Sequence, residues 1–207
     1  SRNLMIPVSE NTWSTLAVSV RRCEMPIKPK PLPDIIKPKL IILFIGYNPG
    51  IKSASAGHHY AGSSNRFWKL LFDSGLTGSI IKPENDRGIL DYGYGSTNLA
   101  DRTTRSAAEL TSQEMKLGSQ DLFNFLNEYT PKIACYVGIG VYRAFKANIT
   151  GISPGKLSIL PGLQETGIID GIFDFVCYNP SGLNTVPYAR QLGYFKELKR
   201  LSDDIKV

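Results

Sequence analysis

The stretch Leu40-Ile41-Ile42-Leu43-Phe44-Ile45-Gly46-Tyr47-Asn48-Pro49-Gly50 decides how this chain reads. Six apolar residues in a row, closed by a glycine-bracketed turn, predict a buried strand over 40–45. Strands buried on both faces belong to parallel sheets covered by helices. The turn at 46–50 leaves that strand at its carboxyl end, where open α/β sheets bind ligands. Asn48 carries a donor at one end of its amide and an acceptor at the other, and it does not titrate. Taken alone, Asn-Pro-Gly is first of all a turn signal.

Outward from this stretch, strand and helix patterns alternate. A long Gly-, Ser- and Ala-rich loop is expected over 47–63. An amphipathic helix is expected from Asn65 to Ser74, stopped near Gly75. Ser112 to Glu128 reads as a second helix, with Leu117, Leu122, Phe125 and Leu126 at helical spacing. Ile133 to Val137 is a second buried strand, and a short helix is expected from Val141 to Lys146. Leu157 to Leu160 and Ile172 to Cys177 read as further strands. A last helix over 187–201 carries Tyr188, Leu192, Phe195 and Leu198 on one face. The class is α/β, a three-layer α/β/α sandwich with a short, mostly parallel central sheet. Upstream, Lys28-Pro29-Lys30-Pro31-Leu32-Pro33 predicts an extended, solvated boundary and a candidate DNA contact. It separates an extension over 1–29 from a folded domain over 30–207.

The chain has 207 residues, 42% hydrophobic and 20% charged, which suits a globular domain with a real core. Its net charge of +6 points, weakly, to an anionic partner. Cys23, Cys135 and Cys177 are widely spaced and odd in number, which argues against a disulfide framework, a zinc finger or an iron–sulfur cluster. Buried, reduced thiols are expected. No apolar run is long enough for a membrane helix, and the first 25 residues lack the apolar core of a signal peptide. Gly138-Ile139-Gly140 lacks the third glycine and later acidic residue of a dinucleotide fingerprint, which sets a nicotinamide or flavin oxidoreductase aside.

Two constellations stand at strand ends. The first joins 46–50 to Gly57-His58-His59-Tyr60-Ala61-Gly62. The second is Asn179-Pro180-Ser181-Gly182-Leu183-Asn184. Each places Asn-Pro among small residues at the end of an apolar run.

These stretches, with the runs 57–76 and 94–105, resemble the mismatch-specific uracil/thymine-DNA glycosylase family in order and spacing over about residues 32–201. The resemblance implies an enzyme that flips uracil, and more weakly thymine, out of mispairs with guanine and hydrolyses the glycosyl bond. Asn48 would be catalytic, holding the attacking water by its carbonyl oxygen. Tyr60 would stack on the flipped base, and Tyr47, Ser53, His59 and Asn98 would contact it. Leu183 would wedge into the duplex, with Asn179, Ser181 and Gly182 beside the orphaned guanine and its phosphate. Lys52, Arg66, Arg102 and Arg105 are the candidate phosphate contacts.

No lysine matches a position for imine chemistry, so a monofunctional hydrolase is expected. No cofactor and no metal is expected either: adjacent histidines cannot both face one ion. Double-stranded DNA is the implied partner, the protein a monomer, its location nuclear. One departure stands out: relatives carry an arginine two residues after the wedge, and this chain has Thr185. It leaves open an alternative, a lesion- or mismatch-binding protein with weak catalysis.

Overall fold

The structure, a computed structural model, describes residues 32–205. The extension over 1–29, Cys23 and all but the last two residues of the Lys28–Pro33 segment lie outside the described residues.

Five strands form one sheet: β1 (Ile42–Gly46), β2 (Tyr94–Asn98), β3 (Ile133–Val137), β4 (Gly162–Leu163) and β5 (Phe173–Cys177). Their order is β2-β1-β3-β5-β4, parallel except for β4, which pairs antiparallel with β5. The helices are α1 (Ile51–Ala56), α2 (Phe67–Asp73), α3 (Ser112–Tyr129), α4 (Ile139–Thr150) and α5 (Tyr188–Asp204).

Strand alternation sorts the core into two layers. Ile42, Phe44, Ile133, Cys135, Val137, Phe175 and Cys177 pack with Phe67, Trp68 and Leu70 of α2 and Phe195 and Leu198 of α5. Leu43, Ile45, Ala134, Tyr136 and Val176 point the other way, onto Met115, Leu122 and Leu126 of α3 and Val141, Tyr142 and Phe145 of α4. This is the expected three-layer α/β/α arrangement, and it explains why β1 and β3 read as unbroken apolar runs.

Local signals account for several boundaries. Thr111 caps α3 in a reciprocal box with Glu114, each side chain accepting from the other's backbone. The Asn65 side chain accepts from the Phe67 N–H at 2.9 Å and opens α2. Gly75, at φ 78°, supplies the left-handed turn that ends it.

Four expectations differ from the structure. Residues 157–160 form no strand, and Leu160 is 73% exposed. The edge strand is instead the two-residue β4, past Pro161. Leu117 of α3 is exposed, while Met115 and Ser119 face inward. α4 runs beyond both ends of the helix expected over 141–146. The supposed loop over 47–63 contains the short helix α1, none of whose residues is buried.

Register places the site. Gly46 pairs with Asn98, and Val137 with Cys177, so β1, β2, β3 and β5 end at one level. The chain runs from β1 outward to β2 and then back across to β3. The reversal falls between β1 and β3, where α/β sheets open a crevice. There the Tyr47 ring lies 3.6 Å from where a Cβ on Gly140 would stand.

Candidate functional site

Loop 46–50 is tied to the segment after β2. The Leu99 and Ala100 N–H groups donate to the Gly46 and Tyr47 carbonyls at 2.9 Å, and the Thr104 N–H donates to Pro49 at 3.3 Å. The Asn48 side chain adds to this tie. Its Nδ2 donates to the Arg102 carbonyl at 2.8 Å and to Thr104 Oγ1 at 2.7 Å. Thr104 gives its own proton to the Ser106 carbonyl at 2.8 Å, so its oxygen can only accept from Asn48. The amide nitrogen therefore faces a row of acceptors, and orientation is fixed. Among the described residues no donor reaches Asn48 Oδ1. An uncharged acceptor is held in place on a half-buried side chain, which suits it to hold a water.

Asn98 stands beside this loop at the end of β2. A Cβ on Gly46 would come within 2.5 Å of Asn98 Oδ1. Glycine is required at 46 for the Asn98 amide to lie across the strand end. The Tyr47 ring is half-buried, and that burial raises its phenol pKa.

Tyr60 sits at φ 52°, in the left-handed region, at the close of the 57–60 turn. Its ring stacks on Phe67 with centroids 3.7 Å apart and planes at 22°. Ser53 braces the turn: its carbonyl accepts from Gly57 and His58, and its hydroxyl accepts from the Ala61 N–H at 3.1 Å. Ser53 thus borders the Tyr60 loop.

His59 differs from the expectation of a base contact. It is 3% exposed, with Nε2 at 3.0 Å from the Pro33 carbonyl and Nδ1 at 3.0 Å from Ser96 Oγ. A carbonyl only accepts, so Nε2 carries the proton and Ser96 donates to Nδ1. Burial lowers its pKa and keeps the ring neutral. Its N–H donates to Asp86 at 2.8 Å and its carbonyl accepts from the Trp68 indole at 3.2 Å. With both nitrogens engaged inside the protein, His59 is a strut of the loop. His58, a third exposed, pairs with Asp86 at 3.5 Å. Asp86, buried and 27 residues away in sequence from His59, holds both histidines.

The second Asn-Pro segment folds on itself. Asn179 Oδ1 accepts from the Ser181 N–H at 2.9 Å, and Asn184 Nδ2 donates to the Asn179 carbonyl at 2.7 Å. Asn184 Oδ1 accepts from the Val186 N–H at 3.0 Å. These bonds leave Leu183 at the tip, 90% exposed, the most exposed large apolar residue described. The segment is also joined to the Tyr60 side of the crevice. The Arg66 N–H donates to the Pro180 carbonyl at 2.9 Å, and a Cβ on Gly182 would fall 2.4 Å from Ser64. Asn179 borders Gly138 at the end of β3. Thr185 is exposed, and Arg190 lies over the Tyr178 ring.

The four basic candidates divide. Arg66 Nη1 donates to the Val186 carbonyl at 3.2 Å. Arg102 grips Glu114 through Nε and Nη2 and also donates to the Glu109 carbonyl. That grip holds the Glu114 carboxyl down to about 2. Among the described residues, the exposed side chains of Lys52 and Arg105 have no such partner. A groove of about 410 Å³ opens beyond β2, walled in part by Asp34, Asp101, Glu114 and Asp121. Its acidic wall suits a nucleic acid poorly, and neither Asn48 nor Tyr60 lines it.

Sequence reasoning missed Thr104 and Asp86. Thr104 lies within the 94–105 run, but its bond spans 56 residues and has no local signature. Among the described residues no group of three or more His, Cys, Asp or Glu could hold a metal ion.

Residues 33–201 match the model of the uracil DNA glycosylase superfamily, from the strand-edge segment before β1 to the last helix. Its members are hydrolases of N-glycosyl bonds that act on DNA and remove uracil-like bases. Every element described above falls in or overlaps the matched span, and the chain belongs to the uracil DNA glycosylase superfamily.

Proposed function

We propose that this protein is a monofunctional DNA glycosylase that flips uracil, and more weakly thymine, out of mispairs with guanine and hydrolyses the glycosyl bond. The observation that carries this reading is the Asn48 amide, held by its nitrogen with its oxygen left as a free acceptor.

The C1′–N1 bond breaks with its electron pair leaving on the base, and the sugar acquires oxocarbenium character. A water held by Asn48 Oδ1 adds to C1′, and its proton passes to solvent. An amide contributes placement. It adds no negative charge to stabilise the sugar cation, so turnover is slow compared with a carboxylate in the same place. Tyr60, backed by Phe67, offers a ring for the flipped base, a contact worth about 1–3 kcal/mol. Ser53 borders the Tyr60 loop and Asn98 the loop of Asn48, and both bear on the choice between uracil and thymine. Leu183 fills the gap left in the stack, as apolar wedges do. The enzyme acts as a monomer in the nucleus.

Single-turnover rates on G·U and G·T duplexes, read by alkaline cleavage at the abasic site, test the proposal. Cutting at uracil, slower cutting at thymine and loss of both in Asn48→Ala are expected. Full activity in Asn48→Ala removes that residue from the chemistry. Tight binding to the G·U duplex without base release over hours would make the protein a lesion binder, the reading that Thr185 favours.

A further inference from the structure

Gln191 has no part in the chemistry above, yet its burial calls for a cause. It lies in the first turn of α5 and is fully buried. Its Nε2 donates to the Val186 carbonyl at 2.8 Å. Its Oε1 is buried and finds no partner among the described residues. A buried amide with one end unmet is unfavourable, and an apolar side chain would avoid that. The bond made by the other end is therefore what the glutamine supplies.

That bond reaches the Leu183 segment at its C-terminal root. The Val186 carbonyl accepts from Gln191 and also from Arg66, whose own N–H holds Pro180 at the N-terminal root. Between these roots the loop is closed by its own asparagines, with Leu183 bare at the tip. A wedge works only if it does not yield when pressed against a base stack, and stiffness must come from where the loop is anchored.

We propose that Gln191 is a positioning residue: through the Val186 carbonyl it fixes the loop that carries Leu183 for insertion into the duplex. The inference rests on the reading of Leu183 as the wedge. It acts on flipping out of a duplex and not on bond cleavage.

The test uses the full chain and Gln191→Met, which keeps length and bulk but loses the donor. Hydrogen exchange over 181–186 should speed up several-fold, a sign of easier local opening. The single-turnover rate on a G·U duplex should fall about tenfold through misplacement, while uracil in a single strand, which needs no wedge, is released within about twofold of the wild-type rate. In Gln191→Glu the protonated carboxyl can donate to Val186 and the carboxylate cannot. Its duplex-to-single-strand rate ratio should therefore rise as pH falls, while that of Gln191→Met stays flat. Unchanged exchange in Gln191→Met, or equal losses on both substrates, overturns the proposal. A wild-type protein inactive on both substrates defeats the glycosylase reading instead, and the exchange rates still decide the brace.

Discussion

Asn48 donates an amide hydrogen to Thr104 Oγ1 at 2.7 Å, and the Thr104 hydroxyl in turn donates to the Ser106 carbonyl. This relay turns a freely flipping amide into one with a defined oxygen end. Thr104→Val keeps the shape and removes the acceptor, leaving the Arg102 carbonyl as the main anchor. A bond of this kind contributes about 0.5–1.5 kcal/mol to stability. The larger expected effect is kinetic: about a tenfold lower single-turnover rate on a G·U duplex, from a misplaced water. Thr104→Ser should stay near wild type, and affinity for an abasic duplex should hold in both. A Thr104→Val rate equal to wild type would show that the Arg102 carbonyl suffices.

Tyr60 presents a second contrast. Its hydroxyl is buried close to Ser96 but without a well-formed hydrogen bond, and burial, which outweighs the nearby Ser96 hydroxyl, drives its pKa far above that of free tyrosine. The ring, stacked on Phe67, is what the site uses. Tyr60→Phe should be neutral or stabilising by about 1 kcal/mol, because it removes an unsatisfied buried group. Base excision should continue unchanged. Tyr60→Ala should lose both stability and excision. Chemical denaturation and duplex assays on the two variants decide it; loss of activity in Tyr60→Phe would assign the hydroxyl a role.

Residues legible in the sequence were those whose neighbours in the chain reveal them. β3 shows as five apolar residues after a proline, and α3 shows in Leu122, Phe125 and Leu126 at helical spacing. β2, Tyr94-Gly95-Ser96-Thr97-Asn98, stayed hidden because, after the buried Tyr94, its inward side chains Ser96 and Thr97 are polar. Ser96 is buried to meet His59 and Thr97 lies beside Asp34, so no apolar run forms. Leu157 to Leu160 misled in the opposite way: Ile159 is buried and Leu157 packs against the core, yet the segment forms no strand, and Leu160 stands exposed next to Pro161. Among the candidate site residues, Asn48, Tyr60 and Leu183 were singled out by motif order. Which histidine faces inward was not legible, since Asp86 and Pro33 decide it from 27 and 26 residues away. The clamp of Gln191 and Arg66 on Val186 was equally silent, because a glutamine on an amphipathic helix reads as surface.

Asp174, at the start of β5 and far from the carboxyl ends of the strands, should dominate the pH dependence of stability in mild acid. Its carboxyl accepts from the Tyr136 and Tyr142 hydroxyls at 3.3 and 3.2 Å and from the Ile168 N–H at 2.9 Å. Burial outweighs these donors and pushes its pKa up to about 6. The unfolded chain releases that proton near 4, so the folded state binds it more tightly. Stability from this group is full below about pH 4 and is lost as pH rises through 6, a change of about 2–3 kcal/mol. In Asp174→Asn the amide can accept from Ile168 and donate to a tyrosine oxygen. Urea denaturation between pH 4 and 8 should show the variant gaining on wild type as pH rises; parallel curves would mean that Asp174 ionises freely.

The division among the basic residues leads to a prediction about salt. Arg66 and Arg102 spend their guanidinium groups on Val186, Glu109 and Glu114, whereas Lys52 and Arg105 stand exposed and unengaged among the described residues. Each phosphate neutralised adds about 0.9 to the slope of log affinity against log salt. Lys52→Ala and Arg105→Ala should each lower that slope by about one while leaving bound-state excision intact. Arg102→Ala should leave the slope unchanged and slow excision, because freeing Glu114 loosens the segment whose carbonyl holds Asn48. Binding titrations on a G·U duplex across salt, set beside single-turnover rates, separate the two groups. A slope that drops in Arg102→Ala would mean that this arginine leaves Glu114 for DNA.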